Sequence, residues 1–382
     1  MPRIVIIAGE ASGDHLGAGL IRAARRRNPD IEFEGVAGSA MRAEGCRAWF
    51  DCQELAVMGL FEVVRHLPRL LRIRAQVKRR LLADPPDVLV GIDAPDFTIP
   101  LERVARRNGI STVHYVCPSV WAWRQGRVKV LRQSCDRVLC LLPFESAFLA
   151  RHGVAGQFIG HPLADEIPDI VDKADAREKL GLSGGTVIAL LPGSRKGEVA
   201  RLGPVFAQAA KWIADRASDS SFVIPAASPG LRSLFEKALR AHAPNCEARI
   251  VDGRAREVIA AADVALVASG TATLETMLIN RPMVMAYKLS PLTYWVARLL
   301  KLIRIPHYSL PNLLAGRPLI KELIQSDATA EAMGGAILEL LESPEKQNEL
   351  EKTFGSLHDQ LRCSASDSAA EAVLEVGGLS SK

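Results

Sequence analysis

The stretch DVLVGIDAPDF, residues 87–97, is a run of apolar residues that ends in two acids, Asp93 and Asp96. Continuous apolar runs of this length, bounded by turn residues, are typical of strands in a parallel sheet that is covered on both faces. A buried strand has no use for a carboxylate at its end unless a ligand or a reaction there needs one. Asp93 therefore predicts a functional site at the carboxyl end of this strand.

Similar apolar runs alternate with amphipathic helical patterns along both halves of the chain. In the first half they are RIVIIA (3–8), DVLVGI (87–92), STVHYV (111–116) and RVLCLL (137–142). In the second half they are TVIALLP (186–192), SFVIPA (221–226), ADVALVA (262–268) and MVMAY (283–287), the last of which we expect to close its sheet. This alternation predicts an α/β fold of two Rossmann-like domains that face each other across a cleft. A break rich in proline, glycine and charge near 162–175 predicts the domain boundary.

The composition fits two ordinary domain cores rather than a membrane-spanning or disulfide-linked protein. The 382 residues are long enough for two domains, and the net charge of +5 is modest. The longest apolar runs are too short to span a bilayer, and the start MPRIVIIAGEASGD predicts a first strand rather than a secretion signal. The seven cysteines have no CxxC spacing, so we expect reduced thiols in a cytosolic protein and no zinc site.

The loop SGTATLE, residues 269–275, has the composition of a diphosphate site at the start of a helix. Ser269, Gly270 and Thr271 offer small side chains and free N–H groups, and the helix dipole favours an anion there. Glu275 follows about one turn later, where its carboxylate can accept hydrogen bonds from both hydroxyls of a ribose. The alternative is that the serine and threonine cap the helix and Glu275 complements its dipole.

The loop LPGSRKGE, residues 191–198, has the same layout after another strand of the second half. Gly193 lets the backbone turn, Ser194 adds a donor, and Arg195 can bind two phosphate oxygens with its planar guanidinium. The alternative is a basic surface turn. The chain has no GxxxxGK[ST] motif, and its first strand leads into GEASGD rather than GxGxxG, which argues against a dehydrogenase.

Acids also follow the first strand, in GEASGD at residues 9–14. Glu10 comes directly after the strand, as Asp93 does, and we expect both carboxylates to act in catalysis. Ser12 and Asp14 either cap the following helix or contact the substrate that accepts the transferred group.

Asp93 and Asp96 have different predicted roles. Asp96 is placed to cap the helix that follows it or to line the cleft. We expect His161 to line the cleft as well. Asp93 lies too early to cap that helix and suits a general base for an alcohol nucleophile, or alternatively a metal ligand. Because no DxD stands near the diphosphate loops and Arg195 can neutralise a leaving diphosphate, we expect no metal and no cofactor.

Residues 56–82 form a basic amphipathic segment, with Pro68 expected in the first turn of its helix. It resembles an interfacial membrane anchor, and a packed helix with a solvated basic face or a nucleic-acid surface are the alternatives. Its lack of tyrosine and tryptophan argues against nucleic acid. The stretch TYWVARLLKLIRI (293–305) has the same character. The expected membrane contacts are Val57, Met58, Leu60, Phe61, Val64, Leu67, Arg69 and Arg72.

Taken together, these motifs resemble the lipid-A-disaccharide synthase family nearly end to end. The resemblance is carried by AGEASGDHLGA (8–18), GIDAPDF (91–97), YVCPSVWAWRQGR (115–127), GHPLAD (160–165), LPGSRKGEV (191–199), SGTATLE (269–275) and SLPNLLAG (309–316). It implies the GT-B fold, with domains at 1–165 and 166–345 and C-terminal helices at 346–382 that cross back to the first domain.

The resemblance also implies a reaction and its partners. The donor would be UDP-2,3-diacylglucosamine and the acceptor 2,3-diacylglucosamine 1-phosphate, with a β-1,6 link formed by inversion and UDP released. The enzyme would be a homodimer that exchanges C-terminal segments and binds the anionic cytoplasmic face of the inner membrane. Asn312 and Arg317 would then reach the nucleotide site of the partner.

Two other functions remain open from the sequence. A UDP-N-acetylglucosamine 2-epimerase on the same fold would use the same nucleotide loops without an acyl acceptor. A non-catalytic protein that binds an anionic ligand would use them as well, but it would gain nothing from Glu10 and Asp93 at the strand ends.

Overall fold

The computed structural model describes residues 1–55, 60–122, 125–182, 184–290 and 306–379, with the backbone alone for residues 60–65 and 125. These residues form two compact units, each with its own hydrophobic core. The first unit comprises Met1–Asp165 together with Leu361–Lys382, and the second comprises Glu166–Gln360.

The first unit is built on a parallel sheet that has seven strands within the described residues. The strands are β1 (Arg3–Ala8), β2 (Glu32–Ala37), β3 (Arg47–Asp51), β4 (Val88–Ile92), β5 (Ser111–Tyr115), β6 (Arg137–Cys140) and β7 (Gly156–Phe158). Their spatial order is β3-β2-β1-β4-β5-β6-β7. The central strands are fully buried, which explains why they are continuous apolar runs in the sequence.

Helices cover this sheet on both faces, as parallel connections require. They are α1 (Ala11–Arg27), α2 (Ser39–Ala43), α3 (Leu60–Ala83), α4 (Pro95–Arg107), α5 (Val128–Ser134), α6 (Pro143–Ala150) and α7 (Pro162–Glu166). The predicted start of α3 was wrong: the helix begins at Leu60, so Pro68 lies in its interior rather than in its first turn. Pro68 is exposed, so water can reach the side of the helix where the hydrogen bond is missing.

The second unit repeats the design with a parallel sheet of six strands within the described residues. The strands are β8 (Thr186–Leu191), β9 (Ser220–Ala226), β10 (Ala248–Asp252), β11 (Val264–Ala268), β12 (Met283–Tyr287) and β13 (Lys321–Ile324). Their order is β10-β9-β8-β11-β12-β13, so MVMAY does not close the sheet. The four residues KELI pair beyond it as β13, too short a segment to stand out in the sequence.

Helices alternate with these strands in the second unit, and some of them have capping residues at both ends. The helices are α8 (Lys173–Leu180), α9 (Lys196–Ala214), α10 (Pro229–His242), α11 (Ala255–Ala261), α12 (Thr271–Leu278), α13 (Leu310–Ala315), α14 (Ala330–Leu341) and α15 (Pro344–Leu361). Asp172, for example, caps α8 by accepting from the N–H groups of Ala174 and Asp175, and Gly181 ends it in the left-handed conformation.

The last helix, α16 (Ala365–Val376), belongs to the first unit. It buries Ala369 and Val373 in that core, and Asp367 Oδ1 accepts from Arg26 Nη2 of α1 at 2.7 Å. The predicted returning segment began at residue 346, whereas residues up to 360 cluster with the second unit. The reason is that α15 packs there, with Phe354 beside Met277.

Each sheet has one point where the strand order reverses. In the first unit this point lies between β1 and β4, which pair directly through Ala8 and Ile92. In the second it lies between β8 and β11, where Leu191 pairs with Val267. Ligands of doubly wound sheets bind in the crevice outside the carboxyl ends of the strands at such a point. The fold thus selects two loop pairs as candidate sites.

Candidate active site

The switch point of the first unit brings Glu10 and Asp93 together. Glu10 follows β1 and Asp93 follows β4, so the register of these strands places both acids at one edge of the sheet. Both side chains are partly buried, and Glu10 Oε1 accepts a hydrogen bond from Ser12 Oγ at 2.6 Å. Burial raises the pKa of Asp93 and the negative charge of Glu10 adds to the increase, while a backbone hydrogen bond from Ala94 and the charge of His114 oppose it. A carboxyl group poised in this way can accept a proton.

The backbone at this strand end is strained. Asp93 has a φ of 49° and Ala94 a φ of 43°, and Val116 at the end of the neighbouring strand β5 has a φ of 77°. Left-handed conformations of residues other than glycine cost on the order of 1–3 kcal/mol each and persist only where the surroundings enforce them. Contacts do so here: the Asp93 N–H donates to Tyr115 O at 2.9 Å, and Thr98 Oγ1 donates to Asp93 O at 2.9 Å.

Two acids predicted near this site have structural partners instead. Asp14 is 4 % exposed and accepts hydrogen bonds from the N–H groups of Gly38, Ala40 and Met41, at 2.8, 2.8 and 3.1 Å. It therefore orders the start of α2 and neither caps its own helix nor faces a substrate. Asp96 does not cap α4, because the N-cap residue is Ala94.

Asp96 and His161, the two residues expected to line the cleft, each have hydrogen-bond partners within the first unit. The Asp96 carboxylate is exposed and Oδ1 accepts from Arg127 Nη2 at 2.6 Å. His161 lies where the returning chain joins the first unit: its N–H donates to Leu361 O at 2.8 Å, and its Nδ1 accepts from the Leu163 N–H at 3.2 Å. Burial lowers the pKa of His161 to about 4, so its ring is neutral at physiological pH.

The switch point of the second unit joins the two predicted diphosphate loops. Gly193 has a φ of 124°, and a Cβ there would press against Glu198, so the first loop requires glycine. Ser194 and Arg195 are exposed, and Arg195 Nη1 donates to Glu198 Oε1 at 3.0 Å. In the second loop, Gly270 has a φ of 138° and is the N-cap residue of α12.

The polar side chains of the second loop, residues 269–275, lie around the start of α12. Ser269 Oγ donates to Tyr308 O at 3.0 Å, and Thr271 is exposed at the start of α12. Glu275 lies one turn further along α12, partly exposed, with Oε1 accepting from Arg256 Nε at 3.3 Å. Arg256 in turn donates to Glu166 Oε2 at 3.0 Å. Arg256 could not be predicted from the sequence, because an arginine on a short helix carries no signal until the fold places it beside Glu275.

Asn312 and Arg317 were expected to reach a nucleotide. Asn312 is 1 % exposed, and its amide is fully used: Nδ2 donates to Ile320 O and Glu322, and Oδ1 accepts from the N–H groups of Leu319 and Ile320. In this arrangement it orders its own loop. Arg317 is half-exposed and lies 3.4 Å from Glu349.

The predicted membrane segment is described only in part. Val57, Met58 and the stretch 293–305 lie outside the described residues, and the side chains of Leu60, Phe61 and Val64 are not described. Along the rest of α3, Ile73, Val77 and Leu81 are buried. Leu67 and Leu71 are each 44 % exposed, and the exposed Arg69 pairs with Glu54 at 2.6 Å. Arg72 is exposed as well. Searched for membrane spans, the described helices yield none with the required length and apolarity.

Two clusters of potential metal ligands occur among the described residues. Glu102, His114 and Cys135 form one, and Cys117, Cys140 and Glu145 form the other. All six are buried in the first unit, and neither cluster includes a residue of the four strand-end loops. Trp121 donates to Glu145 at 3.0 Å, and burial raises the pKa of Glu145 to about 7.

Comparison with known proteins gives consistent likenesses over the whole chain. Residues 4–373 match the family model described as lipid-A-disaccharide synthetase. A lipid-A-disaccharide synthase of Xanthomonas campestris pv. campestris (strain 8004) is 52 % identical over 377 residues, covering 98 % of this chain and 86 % of the relative. One of Xylella fastidiosa (strain M23) is also 52 % identical, with 98 % of each chain covered.

Solved structures with the same architecture are far more distant in sequence. A UDP-GlcNAc 2-epimerase from Neisseria meningitidis, bound to UDP-GlcNAc, has a TM-score of 0.66 at 12 % identity and covers 98 % of this chain and 100 % of its own. WaaG, a glycosyltransferase involved in lipopolysaccharide biosynthesis, has a TM-score of 0.57 at 14 % identity, with coverages of 97 % and 99 %. At these identities the likeness shows the fold alone.

Proposed function

This chain belongs to the lipid-A-disaccharide synthase family, and we propose that Asp93 is the general base with which it activates the acceptor hydroxyl. The chain is accordingly a UDP-sugar-dependent glycosyltransferase of lipid A biosynthesis. It joins the sugar of UDP-2,3-diacylglucosamine to the 6-hydroxyl of 2,3-diacylglucosamine 1-phosphate through a β-1,6 link, with inversion, and releases UDP. The 2-epimerase alternative is not favoured, because the likeness to epimerases extends to the fold and not to the sequence.

The observation that carries the assignment of Asp93 is its place at the switch point of the first sheet. There, a partly buried carboxyl with a raised pKa is held by a strained backbone beside a second acid. Backbone strain of this kind persists only where the surrounding structure enforces it, and it clusters at functional sites. Glu10 supports the site by raising the pKa of Asp93, and it orients Ser12 through their hydrogen bond.

The second unit supplies the groups for UDP. We place the diphosphate at the loops after β8 and β11, which adjoin in the sheet and contain Ser194, Arg195, Ser269 and Thr271. Positive charge from Arg195 and the start of α12 would stabilise the leaving diphosphate, an electrostatic effect that is usually large. Glu275 would accept hydrogen bonds from the ribose hydroxyls.

The proposed step balances without a further reactant. The Asp93 carboxylate takes the proton of the acceptor 6-hydroxyl as that oxygen forms a bond to the anomeric carbon. The bond from the anomeric carbon to the diphosphate oxygen breaks, and its electron pair leaves with UDP. Attack from the face opposite UDP inverts the configuration.

The test is Asp93→Asn, with Asp87→Asn as its matched control. Asp87 lies just before β4, at the opposite end of the same strand, and asparagine can still accept the hydrogen bond from the Arg3 N–H. Loss of a general base lowers the rate by on the order of a hundredfold to ten-thousandfold. We expect that fall in kcat for Asp93→Asn, measured as UDP release, with UDP affinity nearly unchanged and Asp87→Asn close to wild type. High residual turnover together with lost UDP affinity would make Asp93 a binding residue.

We further propose that α3 holds the enzyme at an anionic membrane surface, on the cytoplasmic side of the inner membrane. The support is the pair of exposed leucines Leu67 and Leu71 on a helix rich in arginine and lysine. Such a helix lies in the interface with its apolar side chains in the headgroup region.

Acidic substitution of these leucines tests the membrane proposal. The variant Leu67→Glu/Leu71→Glu should bind anionic vesicles at least about tenfold more weakly in a sedimentation assay, because it loses apolar contact and adds repulsion. Ile170→Glu, an 87 % exposed apolar residue of the second unit, is the control and should bind normally. Unchanged binding of the double variant would leave α3 as a packed helix with a solvated face.

We also propose that the enzyme is a homodimer that exchanges its C-terminal segments. Helix α16 buries an alanine-rich face against the first unit, and the same contacts could form with a second copy if C-terminal segments were exchanged. The half-exposed Arg317 is a cation that could then reach a partner's nucleotide. Sedimentation velocity should show the mass of two chains, and a single-chain mass at working concentration would end this proposal.

A further inference from the structure

Three buried side chains form a hydrogen-bonded cluster directly behind the strand end that carries Asp93. His114 Nδ1 of β5 lies 2.7 Å from Glu102 Oε1 of α4, and Cys135 Sγ donates to Glu102 Oε2 at 3.1 Å. Glu102 and His114 are completely buried. His114 is the register partner of Gly91, two residues before Asp93, and a Cβ at Gly91 would overlap the Glu102 carboxylate. Because glycine has no side chain, Gly91 leaves room for the Glu102 carboxylate.

The distances identify hydrogen bonds rather than a shared metal. Ligand atoms at about 2.0 Å from a tetrahedral zinc would be separated by roughly 3.3 Å. The 2.7 Å separation of His114 and Glu102 is instead that of a short hydrogen bond to a carboxylate.

This cluster is connected to Asp93 through α4. That helix begins at Pro95, immediately after the two left-handed residues Asp93 and Ala94. Thr98 and Glu102 are one turn apart on α4: the Thr98 hydroxyl bonds Asp93 O, and Glu102 bonds β5. The two side chains thus hydrogen-bond one face of α4 to the end of β4 and to the neighbouring strand β5.

We propose that the Glu102–His114 pair is a positioning device that holds α4, and with it the strained Asp93–Ala94 turn, in the conformation that presents the Asp93 carboxylate. Packing alone does not require this pair, since well-packed apolar residues usually stabilise a core at least as well as a buried ionisable pair. The fold also accepts a cost, because His114 Nε2 is buried with no hydrogen-bond partner among the described residues. The inference rests on the proposed role of Asp93.

The experiment compares Glu102→Leu/His114→Leu with Glu102→Gln, each in the wild-type and the Asp93→Ala background. The double variant replaces both partners by apolar groups, which need not unfold the core. Glutamine still accepts the hydrogen bond from His114 and serves as the conservative rescue. The readouts are kcat and KM for the acceptor from UDP release, UDP affinity, and Tm.

We expect the double variant to lower kcat about tenfold to a hundredfold, as displacement of a catalytic group by about 1 Å can do. KM and UDP affinity should stay within about twofold, because the pair is completely buried and reaches no substrate. Glu102→Gln should keep kcat within about threefold of wild type, because it retains the hydrogen bond to His114. All rates are measured at a pH well above the raised pKa of Asp93, where loss of the His114 charge does not change the protonation of Asp93. In the Asp93→Ala background the double variant should cause no further loss, since residues that act as a unit are not additive. If the double variant shows no thermal transition, His114→Gln is measured in its place, with a lowered kcat at unchanged KM again expected.

Several results would overturn the inference. One is wild-type kcat in the double variant while Asp93→Ala is inactive, and another is an equal loss in both backgrounds. A stoichiometric zinc ion in the purified protein that Glu102→Gln removes would assign the cluster to a metal instead. High turnover by Asp93→Ala itself would contradict the proposed function, and this outcome is distinguishable because it does not involve the pair.

Discussion

The two switch points of the molecule share a topology but are built in opposite ways. In the first unit two partly buried acids, Glu10 and Asp93, lie together, and the strained backbone of Asp93 is held by hydrogen bonds to β5 and to Thr98 of α4. In the second unit Ser194, Arg195 and Thr271 are exposed, and glycines at positions 193 and 270 take the positive φ angles without strain. The Arg195 guanidinium there pairs with Glu198 Oε1 at 3.0 Å.

The difference fits the two tasks that we propose for these loops. A proton-transfer group must be held within a fraction of an ångström of its target and needs a tuned pKa, so burial and constraint suit it. A nucleotide must enter and leave, and its charge is met well by backbone N–H groups and a long cationic side chain at an open loop. The constrained acids of the first unit therefore fit the proposed catalytic role, and the exposed loops of the second unit fit the proposed nucleotide site.

The largest effect within this comparison is expected from Arg195→Ala. Removal of a group that stabilises developing charge costs on the order of a hundredfold or more in rate. We expect a fall of about that size in kcat/KM, together with weaker UDP binding, in a UDP-release assay and by calorimetry. Lys211→Ala, which removes only a surface pair with Asp215 at the other end of α9, should be close to wild type. Normal kinetics of Arg195→Ala would show that the exposed loop does not bind the diphosphate.

A smaller effect is expected from Arg256→Gln, which tests whether Arg256 holds Glu275 in place within the otherwise exposed site of the second unit. Arg256 orients Glu275 through the contact at 3.3 Å, so its loss should weaken recognition of the ribose hydroxyls. We expect the preference for UDP over 2′-deoxy-UDP to fall about tenfold, as for a hydrogen bond to a charged group. The neighbouring Arg254→Gln, which loses the ion pair with Glu257 and a hydrogen bond to Lys179 O but leaves the Arg256–Glu275 contact in place, should retain the preference. An equal loss of affinity for both nucleotides would mean that Arg256 acts on the fold and not on the ribose.

The smallest effect is expected in the pH dependence of kcat, through the pKa of the proposed base Asp93. A base must be deprotonated to act, and the pKa of Asp93 is raised, so kcat should fall as pH decreases through that raised pKa. Glu10→Gln removes a negative charge that raises this pKa, and the acidic limb of kcat should therefore move to lower pH. The measurement is kcat across acidic pH for both proteins. A shift to higher pH, or none, would show that Glu10 does not act on Asp93 through charge.

Much of this comparison could be predicted from local patterns. Apolar runs followed by acids or by Gly-Ser-Arg and Ser-Gly-Thr mark strand ends, and parallel strands place those ends at one edge. The roles of Asp14 and Asp96 could not be predicted in the same way. Either acid looks like a cap or a ligand in the sequence, and only the position of α2 shows that Asp14 binds three N–H groups outside its own helix.

By itself the sequence determined the α/β class, the family and which residues stand at the strand ends, because periodicity and motif spacing are local properties of the chain. Only the tertiary structure decided the strand order, the return of the chain at Leu361 and the pairing of Arg256 with Glu275. It also decided that Glu102 and His114, twelve residues apart, meet behind Asp93. These contacts depend on how distant segments pack, and a buried polar pair carries no periodic signal from which its partner could be inferred.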